Sequence, residues 1–177
     1  MLLLKEVPQY ECLLERAKRY PELDPSAMEA FLHLLRTSTE VFEAFRALLG
    51  RHKISQGRFT VLILLNRDAE RPVNLADLAE RSRVTRATMT GLIDTLERDG
   101  LVKREHSAGD RRMLLVRLTD AGRTFLDKIL PDYFRRISTV MGRLTQTDRK
   151  TLVSLMGKIA MAVPEISPCP PPKGSVS

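Results

Sequence analysis

Between residues 74 and 119, the order of apolar and polar positions predicts two short helices followed by a β-hairpin. Residues 74–82 and 85–99 each have helical periodicity. The inward face of the second helix is apolar at i, i+3, i+4 and i+7: Met89, Leu92, Ile93 and Leu96. Gly100 ends that helix, and residues 101–118 read as two strands around a charged tip. A bracing helix, a second helix and a β-ribbon form a winged helix-turn-helix, a unit that places a helix in the DNA major groove.

Amphipathic helices are predicted on the N-terminal side of this unit. Ser26 and Glu29 form a capping-box pattern that should begin a helix, and Gly50 should end it. Its apolar residues recur every three or four positions: Phe31, Leu35, Phe42, Phe45 and Leu49. Ser55 should cap a central helix, which is apolar on nearly all sides. An additional short amphipathic helix is expected between two prolines, Pro8 and Pro21; the alternative is a solvated tail.

Long helices are also predicted after the hairpin. Thr119 should cap a helix that Pro131 kinks or breaks near Leu130. The segment 145–148 begins the last helix, which has its own apolar stripe: Leu152, Leu155, Met156, Ile159 and Val163. From Pro164 onward, the prolines, glycine and serines predict a disordered tail.

The predicted fold is mainly α with a small β-wing. It comprises a winged helix-turn-helix DNA-binding lobe at 51–118 and a helical dimerisation region formed by 26–50 and 119–163, with an N-terminal helical extension at 1–25 and a tail at 164–177. Apolar stripes on helices outside a DNA reader predict a two-fold homodimer. Such a dimer would present two recognition helices to a pseudo-palindromic site.

Composition narrows the function without deciding it. The 177 residues carry a formal charge of +7, which suits a polyanionic partner, and the hydrophobic fraction of 43% is ample for a core. Cys12 and Cys169 stand far apart with no metal-ligand spacing, so neither a zinc site nor a disulfide scaffold is indicated. No metal or cofactor is expected. No apolar run is long enough for a signal peptide or a membrane span, and a cytoplasmic protein is expected.

The outward face of the second helix holds the candidate base contacts. These residues are Thr85, Arg86, Thr88, Thr90 and Gly91. Arg86 can pair with both acceptors of a guanine, and the threonines can bond phosphates or contact thymine methyls. Gly91 allows close backbone approach. The alternative is that Arg86 is an ordinary solvated residue.

The wing and the first helix of the unit supply the other DNA candidates. Asp110 can pair with Arg112 and stiffen the wing tip, which leaves Arg111 or Arg112 to enter the minor groove. Alternatively, the tip is a solvated hairpin. Lys103 and Arg104, at the wing base, are expected to contact phosphates at most. Asn74 should cap the first helix, whose N-terminal amides could meet a phosphate; the alternative is a purely stabilising cap.

Over about residues 26–163, the chain resembles the MarR family of bacterial winged-helix regulators. The matching segments are 75–79, 84–102, and an Asp-x-Arg wing at 110–112 that leads to Leu-Thr-x-x-Gly at 118–122. The resemblance implies a homodimer held by the first long helix and the last two. It also implies repression of a nearby gene and release by a small, often phenolic or anionic, ligand. Some relatives instead sense oxidants through a cysteine.

Within this resemblance, the ligand pocket would draw on the first two long helices. The candidates are His33, Arg36 and Arg58, with Phe59 as an apolar wall. Alternatively, Arg36 is a surface or dimer-interface residue and His33 is a solvated or core-edge histidine. Cys12 is the candidate redox sensor, although Glu11 and Glu15 beside it favour an inert thiol.

Two other classes of function remain as rivals. A winged helix can serve only as a protein-docking module, but the Arg86 face and the arginine-rich wing argue against that role. An enzyme is not expected: the three histidines show no partner spacing, and motifs for nucleophilic, phosphate-binding or zinc-dependent catalysis are missing.

Overall fold

A computed structural model describes residues 7–68, 71–106 and 114–166. Its elements, in chain order, are α1 (Tyr10–Arg19), α2 (Pro25–Arg51), α3 (Gln56–Arg67), β1 (Val73–Asn74), α4 (Leu75–Arg81), α5 (Arg86–Arg98), β2 (Val102–His106), β3 (Leu114–Leu118), α6 (Asp120–Met141) and α7 (Gln146–Ile166). The chain divides into two compact units, residues 1–130 and 131–177. The mainly helical fold with a small β-wing is therefore as expected.

Helix α2 begins and ends at residues other than those predicted. Asp24, not Ser26, is the N-cap: its Oδ1 accepts hydrogen bonds from the backbone N–H groups of Ser26 (2.8 Å) and Ala27 (3.2 Å). Pro25 takes the first helical position, where an N–H is not needed. The helix also continues through Gly50 to Arg51, and the backbone reverses at Lys53, whose φ is +56°.

The winged unit is built around α3. Phe59, Val61, Leu62 and Leu65 of this helix are buried, and Ser55 caps it as expected. The sheet has the strand order β1-β3-β2, with both pairings antiparallel. Strand β1 has only two residues and was not expected from the sequence. It pairs Val73 with Val116, so it ties the entry of α4 to the wing.

Two glycines fix the path from α5 through the wing to α6. Gly100 ends α5 with a φ of +72°, in the left-handed region that glycine adopts without strain. At Gly122, a Cβ would lie 2.1 Å from the carbonyl oxygen of Leu101, so only glycine permits this approach. Thr119 caps α6, as predicted: its hydroxyl accepts from Gly122 N (3.0 Å) and donates to Gly100 O (2.7 Å).

The C-terminal helices correct two predictions. Helix α6 is not broken at Pro131 but continues to Met141, while the boundary between the two units falls directly before Pro131. Helix α7 starts at a reciprocal cap between Thr145 and Asp148, as expected. It includes Pro164 and ends at Ile166, so the predicted tail does not start at Pro164. Residues 167–177 lie outside the described residues.

Candidate DNA-binding surface

Helix α5 has one face in the core and the other in solvent. Met89, Ile93 and Leu96 are fully buried, and Leu92 is half-buried. The opposite face is exposed along the whole set of predicted contacts: Thr85, Arg86, Thr88, Thr90 and Gly91. The buried face fixes the orientation of the helix, so the polar face has a defined direction.

The N-terminus of α5 is ordered by its own threonines. Thr85 is the N-cap, and its Oγ1 accepts from the backbone N–H of Thr88 at 3.1 Å. The two hydroxyl oxygens of Thr85 and Thr88 are 2.9 Å apart. Thr90 donates its hydroxyl hydrogen to the carbonyl of Arg86 (2.9 Å) and keeps its lone pairs for another donor. The hydroxyls are therefore oriented, which suits a surface that must match a partner.

Gly91 lies in the middle of this exposed face. A Cβ added there would meet nothing within 4 Å in the chain itself. Glycine inside a helix is about 1 kcal/mol less favourable than alanine. Since nothing in the described residues requires glycine at this position, an external surface that approaches the helix closely is a consistent reason for it.

A concave region of about 450 Å³ lies between the start of α4, helix α5 and the wing. It is lined by Asn74, Leu75, Ala76, Arg86, Thr90, Asp94, Arg104 and Leu114. The structure thus brings together three predicted contact residues, Asn74, Arg86 and Thr90. Asn74 caps α4, as expected, with Oδ1 accepting from Ala76 N at 2.8 Å.

Arg104 does not match its predicted role as a phosphate contact at the wing base. Its guanidinium bonds Glu97 (2.7 Å) and Asp94 (2.6 Å) of α5, so its charge is already compensated. Strand alternation could have placed Arg104 on the same side of β2 as the buried Val102, but it could not have identified the partners of Arg104 in α5. Lys103, on the other side, is exposed. The tip residues Asp110, Arg111 and Arg112 lie outside the described residues.

Comparison with known proteins decides the family. The MarR family model matches residues 54–114. The HTH-type transcriptional repressor YetL of Bacillus subtilis is 34% identical over 156 residues, which cover 88% of this chain and 93% of that protein. The chain belongs to the MarR family. It is a winged-helix, DNA-binding transcriptional regulator rather than an enzyme.

Two further relatives add detail. The homoprotocatechuate degradative operon repressor of Escherichia coli is 31% identical over 96 residues, covering 54% of this chain and 63% of that protein. The transcriptional repressor CouR, in a structure bound to a 23-mer DNA duplex, is 30% identical with a TM-score of 0.64; the match covers 73% of this chain and 90% of that one.

The ligand candidates of this MarR-family chain differ in exposure and in their partners. His33 is exposed on α2, and Arg36 pairs with Glu40 one turn further along the same helix (2.8 Å). Arg58 is mostly buried and forms an ion pair with Asp99 at the end of α5. Phe59, the predicted apolar wall, is a core residue and 2% exposed. Cys12 is exposed on α1.

A second concave region, of about 600 Å³, lies beside α4 and shares only Asn74 with the first. Its charged lining includes the ion pair between Arg81 and Asp68 (2.7 Å). Within the described ranges, no cluster of three or more His, Cys, Asp or Glu side chains could hold a metal ion. No helix among those same residues has the length and apolarity needed to cross a bilayer.

Proposed function

We propose that this chain is a homodimeric repressor that binds a pseudo-palindromic operator and releases it when a small molecule binds. The observation that carries the proposal is the α5 face. It is exposed, polar and free of large apolar side chains, and the buried Met89, Ile93 and Leu96 on the opposite face hold it in place. A major-groove reader needs these properties, since base edges are read by side chains of defined position.

Each predicted contact has a role in this proposal. Arg86 reads a guanine, while Thr85, Thr88 and Thr90 bond phosphates or bases, and Gly91 lets the backbone approach. Lys103, on the wing, neutralises one DNA phosphate. The N-terminal backbone amides of α4, the helix that Asn74 caps, contact another. At the tip, we propose that Asp110 pairs with Arg112 and that either Arg111 or Arg112 enters the minor groove.

Apolar surface on the terminal helices supports the homodimer. In α7 the exposed apolar residues include Leu155, Met156 and Ile159, which share one face of the helix. Helix α2 likewise exposes Phe31 and Phe42. Contiguous apolar surface of this kind marks an interaction site in a water-exposed protein. We propose that 26–50 and 119–163 form the dimerisation region around a DNA-binding lobe at 51–118.

Release of DNA by an effector is the step of the proposal that is supported by the name of a relative alone. The name of the E. coli relative connects it with an operon for degrading homoprotocatechuate, an anionic phenol. We therefore propose a small anionic or phenolic effector for this chain. An effector can weaken DNA binding only by as much as its affinities for the two conformations of the protein differ.

The test is binding of the purified protein to the DNA just upstream of its own gene, at low and physiological salt, with scrambled competitor. We expect competitor-resistant binding with two protomers per site. Binding that is equal for both DNAs and lost with added salt would contradict an operator in that position. Selection from a random-sequence pool then separates a distant operator, which yields a motif, from a docking module, which yields none.

A further inference from the structure

Arg104 joins the wing to the recognition helix through three short hydrogen bonds. Its backbone N–H donates to Glu97 Oε1 (3.1 Å), its Nη1 to Glu97 Oε2 (2.7 Å) and its Nη2 to Asp94 Oδ1 (2.6 Å). The Arg104 side chain is only 21% exposed, while that of Asp94 is 49% exposed. The arginine is thus largely covered, and the carboxylate that it compensates stands at the surface.

Asp94 is placed where a free carboxylate would oppose DNA binding. It follows Arg86 and Thr90 at intervals of four residues, and all three side chains line the concave region between α5 and the wing. A phosphate or base edge held by Arg86 would come close to Asp94. A carboxylate facing a phosphate is repelled unless a cation neutralises it.

The other carboxylates around α5 are bound in the same manner. Glu97 shares Arg104 with Asp94, and Asp99, the C-cap, pairs with Arg58 of α3. Each of the three acids is therefore held by an arginine from another element. This arrangement attaches the recognition helix to its supports and removes negative charge from around it.

We propose that Arg104 is a positioning residue that raises DNA affinity without touching DNA, by neutralising Asp94 and holding β2 against α5. The inference rests on the proposed DNA-binding face. Removal of the guanidinium leaves an uncompensated carboxylate at that face. Glu97 keeps its bond to the backbone of residue 104, so the wing retains one anchor.

The test is a double-mutant cycle on a duplex that the wild-type protein selects from a random-sequence pool. Affinity and its salt dependence are measured for wild type, Arg104→Met, Asp94→Asn and the double variant. Arg117→Met is the matched control, because Arg117 is on the neighbouring strand and its partner Glu105 does not line the concave region. Thermal unfolding of each variant shows that it is folded.

We expect Arg104→Met to lose about tenfold or more in affinity. The double variant should recover most of that loss, because the carboxylate that lines the concave region is then gone. Glu97 also loses Arg104, but it does not line that region. Arg104→Lys, which keeps the charge but not the fork of donors, should lie between wild type and Arg104→Met. Arg117→Met should stay near wild type.

Three outcomes would overturn the proposal. If Asp94→Asn gives no recovery and the salt slope of Arg104→Met falls by about 0.9, then Arg104 contacts a phosphate directly. If there is no recovery and the slope is unchanged, Arg104 acts only on the fold. If Arg104→Met leaves affinity unchanged, Arg104 does not support DNA binding at all. Arg86→Ala, measured alongside, separates this inference from the proposed function: if Arg86→Ala also leaves affinity unchanged, the α5 face itself is wrongly assigned.

Discussion

The winged unit and the last helix, α7, differ in how far their apolar residues are buried. In the winged unit most of the large apolar residues of α3 and α5 are buried, and the outward face of α5 is polar. In α7, as far as Ile166, not one residue is buried, and Leu155, Met156 and Ile159 are each more than 40% exposed. The first region completes its core within one chain, whereas the second presents a surface suited to being covered.

The difference follows from what each surface must meet. A DNA-binding face is hydrated when free and exchanges that water for phosphates and base edges when bound. Large apolar residues on this face would offer no hydrogen bonds to either. A helix of a dimer interface gains stability only when another chain covers it, at about 1.5–3 kcal/mol for each fully buried aliphatic side chain. On this view, the winged unit binds DNA, and α7 binds the second copy of the chain.

The largest expected effect comes from a charge placed on the apolar face of α7. Ile159→Glu should give a monomer, because a carboxylate cannot be buried unpaired in an apolar interface. Operator affinity should then fall by roughly a hundredfold or more, since two half-sites are no longer bound together. Sedimentation equilibrium and DNA binding measure the two effects.

Ser154→Glu is the control for that change. Ser154 lies on the opposite side of α7, so the same charge should leave both mass and affinity unchanged. A dimeric Ile159→Glu protein with normal affinity would show that α7 is not the interface.

Next in size is Arg86→Ala on the α5 face. The loss of a two-point contact with guanine should cost about 1–3 kcal/mol of binding free energy and relax preference at one base position. Competition with a panel of single-base operator variants measures both quantities. Arg16→Ala on α1, an exposed arginine outside the winged unit, should leave the base preference as it is.

Gly91→Ala adds one methyl group to the exposed face of α5 and tests whether DNA approaches that face closely. The added methyl meets nothing within 4 Å in the chain, so the fold should become more stable by up to about 1 kcal/mol. Operator affinity should nevertheless fall severalfold, because the methyl occupies space needed by DNA. Gly157→Ala in α7 is the matched control: its Cβ also meets nothing, and it should stabilise without weakening DNA binding. Equal affinities for both variants would remove the argument for close approach at Gly91.

A smaller effect is expected from Lys103→Ala. Lys103 is exposed on β2 and is assigned to a phosphate, which carries no sequence information. Its removal should weaken all duplexes alike and reduce the salt slope by about 0.9. A titration of binding against salt, on operator and scrambled DNA, gives this slope; a change confined to the operator would mean that Lys103 contacts a base.

Features encoded by neighbouring residues could be predicted from the sequence. Ser55, Asn74 and Thr85 each cap the helix that their sequence context indicates, since a cap bonds an amide two or three positions away. The buried face of α5 could also be predicted, from the spacing of its apolar residues. The helix-turn-helix and its family therefore followed from the sequence.

Features that depend on distant partners could not be predicted in this way. The two-residue β1 exists because Val73 meets Val116 across the sheet, and a strand that short has no periodicity. Arg104 was assigned to phosphates because its partners Asp94 and Glu97 belong to another element. Pro131 was expected to kink or break α6, which the structure shows as unbroken to Met141.

The start of α2 was mispredicted for a local reason. The residue that caps it, Asp24, is the subject of the prediction with the smallest expected effect. Both Ser26 and Asp24 are able to cap, but Pro25 fits the first helical position and leaves Asp24 as the cap. The Ser26 hydroxyl, then the backbone N–H groups of Ala27 and Ser26, hold the pKa of Asp24 below its ordinary value of 3.8. Because the folded-state pKa is the lower one, Asp24 stabilises the fold above about pH 3.8, and this contribution is lost as the pH falls through the lowered pKa.

Urea unfolding at several pH values measures this contribution. Asp24→Ala should be less stable than wild type at neutral pH, and the difference should shrink on acidification. Asp24→Asn, which caps without titrating, should keep a constant offset from Asp24→Ala. Asp148, whose pKa is also lowered, is present in all three proteins, so it cancels from the differences. A gap between wild type and Asp24→Ala that does not change with pH would mean that the charged form of the Asp24 carboxylate contributes nothing to the cap.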